Sequence, residues 1–354
     1  QGRTPEQILV LSFSRRGAAD LRERIAAGLD RSHTGIAAAT FHSLAMRLLE
    51  AHGAERFGWS EQPTLLTKPE QVALVRELLE GDDRRRWPQP FRGLLATSSF
   101  ADEIADFVLR CGERLIDADE LAAQAATRDD WRALPGFLTR YQSELESRRR
   151  LDYGSLQRLA VDLLAEPAIQ SQVAEQFPFV LVDEYQDTTT AQARLLELIT
   201  DPERNLTVAG DPYQSIYSFR GAELENIAEF PATFTDAAGA PARRLVLTTS
   251  FRVPSAILNA AVRVTAGGSL PGAAGPVIPA PGTGSVETYG FDQQSYEAEW
   301  IASEIQRIHL SDGIPYRRIA VLVRSKRRFL PELSRALERR RIPHDQPDLS
   351  LIHI

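Results

Sequence analysis

The stretch FPFVLVDEYQDTTTAQARLLELI, residues 177–199, joins a short apolar run to an amphipathic segment through Asp183, Glu184 and Asp187. The continuous apolar run is typical of a parallel β-strand covered on both faces, and the segment after it has helical periodicity. Open α/β sheets bind ligands at the carboxyl ends of their strands. Acidic groups crowded there repel one another unless a divalent cation removes the repulsion. The stretch therefore predicts a strand, a ligand-binding or metal-binding turn, and a helix.

Similar apolar runs alternate with helical patterns elsewhere in the chain. The predicted strands are Ile8–Ser14, Ile36–Phe41, Phe179–Glu184, Leu206–Asp211 and Arg244–Ser250. The segments after the first and third runs have helical periodicity. This alternation is typical of an α/β protein with a doubly wound parallel sheet.

A long helical region interrupts this pattern between the second and third predicted strands. The amphipathic segments there are residues 68–81, 100–112, 117–126 and 131–149. Because the region is far too long for a loop and has no strand signals, we interpret it as an inserted helical subdomain. A Pro/Gly-rich segment, residues 267–285, predicts a linker or long connection. After it, residues 297–310, 317–325 and 328–345 predict a helix, a strand and a helix of a second α/β unit.

The composition is that of an ordinary globular protein. The chain has 354 residues, 43% hydrophobic and 25% charged, which predicts two or three domains. It contains neither an apolar run long enough to cross a membrane nor a signal-peptide pattern at its start. The net charge of −7 excludes a uniformly basic nucleic-acid binder but leaves a DNA partner open. Cys111 is the only cysteine, which excludes an internal disulfide, favours a reducing compartment and is typical of a small core residue.

A second strand end carries another set of candidate site residues, in VAGDPYQSIYSFRGAE, residues 208–223. Gln214 is a neutral amide that can contact a phosphate oxygen or a nucleophilic water. Tyr217, Phe219 and Arg220 place two aromatic faces and a guanidinium in one short segment, and stacking on an unpaired base contributes about 1–3 kcal/mol. Taken singly, the two rings also fit core packing, and an isolated Asp-Glu pair fits a surface or helix-cap position.

Six ordered blocks together resemble the UvrD/Rep-type superfamily 1 DNA helicases. VDEYQDTTTAQ and GDPYQSIYSFRGA are similar to motifs II and III of that family. The other similar blocks are LSFSRRGAADLRERI (motif Ia), ATFHSLAMRLL (the T-F-H-S motif), LTTSFRVPSAILNAA (motif IV) and RIAVLVRSKRRFLPELSRALERRRIPH (the opening of domain 2A). The order and spacing of the blocks agree with the family over nearly the whole chain.

The resemblance implies a RecA-like parallel sheet of the P-loop NTPase type, with the helical subdomain inserted and a second RecA-like domain beginning. The domains it predicts are 1–59 and 151–252 as the two parts of domain 1A, 60–150 as subdomain 1B, and 253–348 as the start of domain 2A. The last six residues, LSLIHI, resemble the translation of a sequencing adapter, so we expect residues 349–354 to be an artefactual tail.

The resemblance also implies roles at the nucleotide, with ATP and Mg²⁺ as cofactors. Asp183 is expected to hold Mg²⁺, with Glu184 beside it as a second metal-site carboxylate. Glu184 is also expected to position and deprotonate the water that attacks the γ-phosphate. Gln214 is expected to sense that phosphate, and Arg252 to act as an arginine finger.

On the nucleic-acid side, the resemblance implies contacts with single-stranded DNA. Tyr217 and Phe219 are expected to stack on bases, with Arg220 beside them. Phe41 and His42 are expected to line the DNA track. The substrates implied are single-stranded DNA and 3′-tailed duplex DNA, and a nuclease or another repair protein is an expected partner. The expected location is the cytoplasm, on the nucleoid.

The sequence departs from the family because it contains neither the loop G-x-x-G-x-G-K-[ST] nor motifs V and VI. We therefore expect a fragment, inactive alone, of an ATP-dependent 3′–5′ helicase of DNA repair or recombination. SFSRRGA is similar to helicase–nuclease subunits of the actinobacterial type. The alternative is a non-catalytic DNA-binding subunit of a helicase–nuclease complex. A P-loop ATPase unrelated to DNA does not explain T-F-H-S together with QSIYSFRGA.

Overall fold

The computed structural model describes residues 4–28, 37–200, 205–265, 270–273, 277–279, 282 and 284–345. These residues divide into two compact units. The first unit contains the described residues up to Thr248 together with those between 270 and 277. The second contains the described residues from Thr249 to 265 and from Ile278 to 345.

The first unit contains both a parallel sheet and a large set of helices. Its strands are β1 (Ile8–Ser12), β2 (Ala37–Thr40), β3 (Thr64–Leu65), β4 (Arg150–Leu151), β5 (Phe179–Val182) and β6 (Asn205–Val208). Its helices are α1 (Arg15–Gly28), α2 (Phe41–Phe57), α3 (Lys68–Glu80), α4 (Ser98–Glu113), α5 (Ala118–Ala125), α6 (Leu134–Ser147), α7 (Tyr153–Leu164), α8 (Pro167–Gln176), α9 (Thr190–Ile199) and α10 (Glu225–Thr233).

The main sheet has four strands in the order β2-β1-β5-β6, and all of its pairs are parallel. Leu9 of the central strand β1 lies opposite Ala37 on one side and Val180 on the other. Buried side chains of α2, α7 and α9 pack with these strands in one hydrophobic core. The α/β prediction is therefore confirmed. Because β5 and β6 are parallel neighbours, Asp183 and Asp211 follow strand ends at the same edge of the sheet.

The second predicted strand ends one residue earlier than the sequence suggested. Thr40 caps α2 by accepting a hydrogen bond from the backbone N–H of Ser43 (3.1 Å), so Phe41 is the first helical residue rather than the last strand residue. Ile36 lies outside the described residues. An N-cap threonine before an apolar residue was the available signal for this boundary.

Two other strand predictions are wrong over most of their length. Of Arg244–Ser250 only Thr249–Ser250 is a strand, and Leu247 is 89% exposed. Within the described ranges, residues 317–325 contain no strand either, and Leu322 is 91% exposed. An apolar pattern indicates that the side chains favour a strand-like, partly buried surface. A strand also needs a neighbouring strand to accept and donate its backbone hydrogen bonds. Among the described strands, none supplies that neighbour to residues 244–248 or 317–325.

The inserted region consists of helices, as predicted, with a hydrophobic cluster of its own. Trp87, Phe137 and Tyr141 are fully buried in this cluster, which draws on α3, α4, α5 and α6. The sequence did not predict the short parallel pair of β3 with β4. Asp152 ties the insertion to α7, because it accepts hydrogen bonds from the Tyr141 hydroxyl (2.7 Å) and from the backbone N–H of Ser155 (2.6 Å). The exact domain boundaries stay a prediction.

Helices α4 and α7 approach each other through two glycines. A methyl group on Gly112 would lie 2.6 Å from the Cα atom of Gly154, so the two backbones are in direct contact. Next to this contact Cys111 is buried, and burial raises the pKa of its thiol to about 12. The prediction that Cys111 is a small core residue is confirmed.

This contact predicts opposite effects for two glycine substitutions. Gly112→Ala should destabilise the protein by about 1–3 kcal/mol, because its methyl group overlaps the backbone of α7. Gly136→Ala in α6 should stabilise it by about 0.5–1 kcal/mol, because nothing lies within 4 Å of the new methyl group and alanine favours helix. Urea unfolding of both variants measures the difference. Equal shifts of the two midpoints would contradict the close contact.

The second unit contains β7 (Thr249–Ser250), α11 (Ser255–Thr265), β8 (Ile278–Pro279), α12 (Gln294–Asp312) and α13 (Lys326–Arg339). Strands β7 and β8 are parallel. Helices α12 and α13, both predicted, pack through Ala298, Ala302 and Leu333. Part of the predicted linker, residues 267–285, and the whole tail, residues 349–354, lie outside the described residues. None of the helices described in either unit is long and apolar enough to cross a membrane.

Candidate functional site

The acidic pair follows β5 directly and is accessible. The backbone N–H of Asp183 donates to the carbonyl of Leu11 (2.9 Å), which extends the strand pairing by one residue. Glu184 then adopts a left-handed backbone conformation, with φ of 57°, which is uncommon outside glycine and marks a strained turn. Glu184 is exposed, and Asp183 has no side-chain hydrogen bond or ion pair within the described part of the chain. The turn therefore presents two carboxylates at the strand end.

A buried glutamine joins this turn to the end of β6. Gln186 is fully buried, and its amide donates to Glu184 Oε2 (2.6 Å) while its Oε1 accepts from the backbone N–H of Asp211 (2.9 Å). The Gln186 amide thus holds both a carboxylate oxygen of Glu184 and the backbone of Asp211, in the loop after β6. Sequence reasoning missed Gln186. The available signal was an amide residue between two acidic residues directly after a buried strand.

Gln214 belongs to the same hydrogen-bonded network. It ends a 3₁₀ turn, Pro212–Gln214, and its amide donates to Asp211 Oδ2 (2.7 Å). The other oxygen of Asp211 accepts from the backbone N–H of Tyr213 (3.0 Å). A series of hydrogen bonds therefore connects four residues, with one step through the backbone N–H of Asp211. These residues are Glu184, Gln186, Asp211 and Gln214. The structure brings the predicted site residues Glu184 and Gln214 together at one edge of the sheet.

The third acidic residue, Asp187, is turned into the protein. It is buried, and its backbone N–H donates to the carbonyl of Glu184 (3.0 Å). Burial, and secondarily the charge of Glu184, raise the pKa of the Asp187 carboxyl to about 7. Asp187 therefore differs from Glu184, which is exposed at the same turn, and from the half-buried Asp183.

The carboxylates of Asp183 and Glu184 fit Mg²⁺ by their donor chemistry. Mg²⁺ prefers hard oxygen ligands and is usually held by one or two carboxylates together with substrate phosphates and water. Asp183 and Glu184 supply such oxygens side by side. In the described parts of the chain, no group of three or more His, Cys, Asp and Glu side chains is arranged to hold a metal.

The aromatic residues after Gln214 form a cluster with the end of β1. Tyr217 is half-buried and stacks on Phe13, with ring centroids 4.8 Å apart and planes at 29°. Phe219 lies 6.1 Å from Tyr217 and is 68% exposed. Sequence reasoning missed Phe13. Arg220 lies in the 3₁₀ turn Ser218–Arg220, and its side chain is outside what the structure describes.

The structure places the side chain of Phe41, expected to line the DNA track, in the interior of the protein. Phe41, the first residue of α2, is 1% exposed and packs in the main hydrophobic core. Its expected place on the DNA track stays a prediction. The apolar T-F-H-S pattern fits this core role equally well.

His42 belongs to a hydrogen-bonded network that connects three helices. Its Nε2 lies 2.7 Å from the amide nitrogen of Gln157, whose Oε1 accepts from the hydroxyl of Thr189 (3.3 Å). Burial, followed by the charge of Arg15, lowers the pKa of His42 to about 4. The imidazole is therefore neutral at pH 7, and its Nε2 accepts the amide hydrogen of Gln157. This network links α2 and α7 to the cap of α9.

Arg252 belongs to the second unit. It lies between β7 and α11 and is exposed. Its predicted role as an arginine finger stays a prediction.

Comparison with known proteins identifies the family. Residues 1–235 match the UvrD/REP helicase N-terminal domain, and residues 245–348 match the UvrD-like helicase C-terminal domain. The ATP-dependent DNA helicase PcrA of Leuconostoc citreum is 29% identical over 332 residues, and that of Staphylococcus epidermidis is 27% identical over 326 residues. The matches cover 91% of this chain but only 41% and 42% of those relatives. The chain belongs to the UvrD/Rep-type helicase family of superfamily 1.

Proposed function

We propose that the full-length protein is an ATP-dependent DNA helicase that moves 3′ to 5′ along single-stranded DNA during repair or recombination. The observation that carries the proposal is the network from Glu184 through Gln186 and Asp211 to Gln214, with the exposed Phe219 on the same loop. It connects a candidate hydrolytic site to a candidate base-stacking ring. The relatives are named ATP-dependent DNA helicases, which agrees with the proposal.

The carboxylates and amides have distinct proposed roles in ATP hydrolysis. Asp183 and Glu184 would hold Mg²⁺, which would neutralise charge on the phosphates of ATP. Glu184 also accepts a proton from the attacking water, and the Gln186 amide fixes the direction of its carboxylate. Gln214 contacts the terminal phosphate, and Arg252 offsets the negative charge that develops during transfer.

The loop that carries Gln214 also connects hydrolysis to DNA binding. Gln214 and Phe219 belong to one short segment anchored at Asp211. We propose that contact of Gln214 with the terminal phosphate shifts this segment and thereby changes the grip of Phe219 and Tyr217 on a base. Repeated changes of grip between the two RecA-like domains move the protein along one strand. Arg220, on the same turn, is proposed to contact the DNA beside these rings.

The proposed substrates are single-stranded DNA and 3′-tailed duplex DNA, without sequence preference, since stacking on bases is tolerant of sequence. A nuclease or another repair protein is the proposed partner. The proposed site of action is the cytoplasm, on the nucleoid. A single buried cysteine is compatible with such a reducing compartment.

Unwinding by the full-length protein tests this function. With ATP and Mg²⁺ it should separate a duplex that carries a 3′ single-stranded tail but not the same duplex with a 5′ tail, and single-stranded DNA should stimulate phosphate release. A non-hydrolysable ATP analogue serves as the control. DNA binding without stimulated phosphate release would instead favour the non-catalytic DNA-binding subunit. Unwinding of only the 5′-tailed duplex would refute the proposed direction.

A further inference from the structure

The end of helix α4, in the inserted helical region, holds the backbone of the loop that carries Phe219. Arg110 Nη2 donates to the carbonyl oxygen of Phe219 (2.5 Å). The same guanidinium pairs with Glu113, whose side chain is 7% exposed. Arg110 is therefore fixed on one side by a buried carboxylate and reaches the loop on the other.

Two further contacts bring the loop against the same helix. Gly221 has φ of 81°, and a methyl group on it would lie 2.5 Å from Glu113 Oε2 and 2.7 Å from Arg110 Nη1. Only glycine permits both this backbone conformation and this close approach. Arg114 Nε donates to Glu223 Oε1 (2.6 Å) at the end of the loop. Contacts at residues 219, 221 and 223 thus follow one another along the loop.

Helix α4 is itself held by the core of the first unit. The contact between Gly112 and Gly154 lies within the same helical turn as Arg110, Glu113 and Arg114. Helix α7, which carries Gly154, packs with α2 and α9 in the main hydrophobic core. The backbone N–H of Glu223 donates to the carbonyl of Thr188, just after the motif II turn (3.0 Å). The loop is therefore held between α4 and the residues that follow Glu184.

We propose that Arg110, Glu113 and Arg114 form a clamp that holds residues 217–223 in the conformation that presents the Phe219 ring to an unpaired base. Arg110 is a positioning residue, because it acts on the Phe219 backbone and not on the DNA. The Phe219 ring is 68% exposed and lies 6.1 Å from the Tyr217 ring, so the backbone anchors set the position from which it extends. This inference rests on the proposed function, since it assumes that Phe219 stacks on DNA.

A double-mutant cycle in the full-length protein tests the clamp. The probe is a fluorescein-labelled oligothymidylate, and its anisotropy gives the affinity of four proteins: wild type, Arg110→Ala, Phe219→Ala and the double variant. Arg110→Ala should weaken binding about 3- to 10-fold in the wild-type background and hardly at all in the Phe219→Ala background. Loss of a positive charge alone would weaken both backgrounds equally, so the cycle separates positioning from simple electrostatics.

A second readout and a second variant address folding. An oligonucleotide with 2-aminopurine should be quenched on binding wild type and less quenched by Arg110→Ala, because the ring no longer stacks in register. Gly221→Ala should give the same two changes without removing either charged side chain, because its methyl group would separate the loop from Arg110 and Glu113. It decides the question if Arg110→Ala does not fold. Glu103→Ala, on an exposed position of α4, is the control and should change neither.

The outcomes separate the clamp from the proposed function. Equal losses from Arg110→Ala in both backgrounds would overturn the clamp. Full affinity in Phe219→Ala would overturn base stacking by Phe219, and with it the proposed role of this loop. A loss in Phe219→Ala with wild-type behaviour in both Arg110→Ala and Gly221→Ala would leave the proposed function standing and refute the clamp alone.

Discussion

Glu184→Gln in the full-length protein should lower DNA-stimulated ATP hydrolysis about 10²- to 10⁴-fold, the range expected for loss of a general base. Nucleotide binding should persist. The glutamine has the same shape, and its Oε1 can still accept the hydrogen bond that Gln186 donates to Glu184 (2.6 Å). The network to Asp211 and Gln214 is therefore retained while the proton acceptor is lost. Phosphate release and binding of a fluorescent ATP analogue, measured on the same preparation, check both statements.

Glu229→Gln is the matched control for this substitution. Glu229 is an exposed glutamate on α10, and the same loss of one negative charge there should leave hydrolysis unchanged. If Glu184→Gln retained wild-type phosphate release, Glu184 would not be the base, and the hydrolytic site would have to be placed elsewhere. A loss of nucleotide binding in parallel with hydrolysis would indicate a role in holding the Mg²⁺–nucleotide complex instead.

Much of the fold could be predicted because its signals are local. The run Ile8–Ser12 is apolar on both faces, and it became the central strand β1. The helices of the inserted region have caps and amphipathic spacing within their own sequences, as at Thr67 before α3. Residues 244–248 and 317–325 have strand-like sequences, but pairing depends on neighbours that a local pattern does not contain.

The candidate site was predictable only where its residues stand at strand ends. Asp183 and Glu184 follow β5 directly, and Gln214 ends the 3₁₀ turn that comes after β6. Parallel strands bring such positions together. The hydrogen bond between Arg110 and Phe219 joins residues that are 109 positions apart in the sequence. The local sequence around either residue does not predict it. Phe41 shows the opposite situation, since a motif residue expected at the DNA track also has an apolar ring that suits the core.

Phe219→Ala should weaken binding of single-stranded DNA about 5- to 150-fold, which corresponds to the roughly 1–3 kcal/mol of one stacked base. The ring is 68% exposed, whereas Tyr217 already stacks on Phe13, so Phe219 offers the more accessible face. Because stacking is not ionic, the fold-loss should be nearly the same at low and high salt. Anisotropy of a labelled oligothymidylate at two salt concentrations measures this.

Ile216→Ala is the matched control for the ring. Ile216 lies on the same loop and is similarly exposed, so its truncation removes comparable apolar surface without removing a π-face. It should lower DNA affinity much less than Phe219→Ala does. Equal losses from the two variants would mean that the loop binds DNA through general apolar contact, and a loss confined to low salt would mean that charge dominates. Either result would contradict a base stacked on Phe219. Stacking on the ring predicts that Phe219→Ala loses much more DNA affinity than Ile216→Ala, and that this difference persists at high salt.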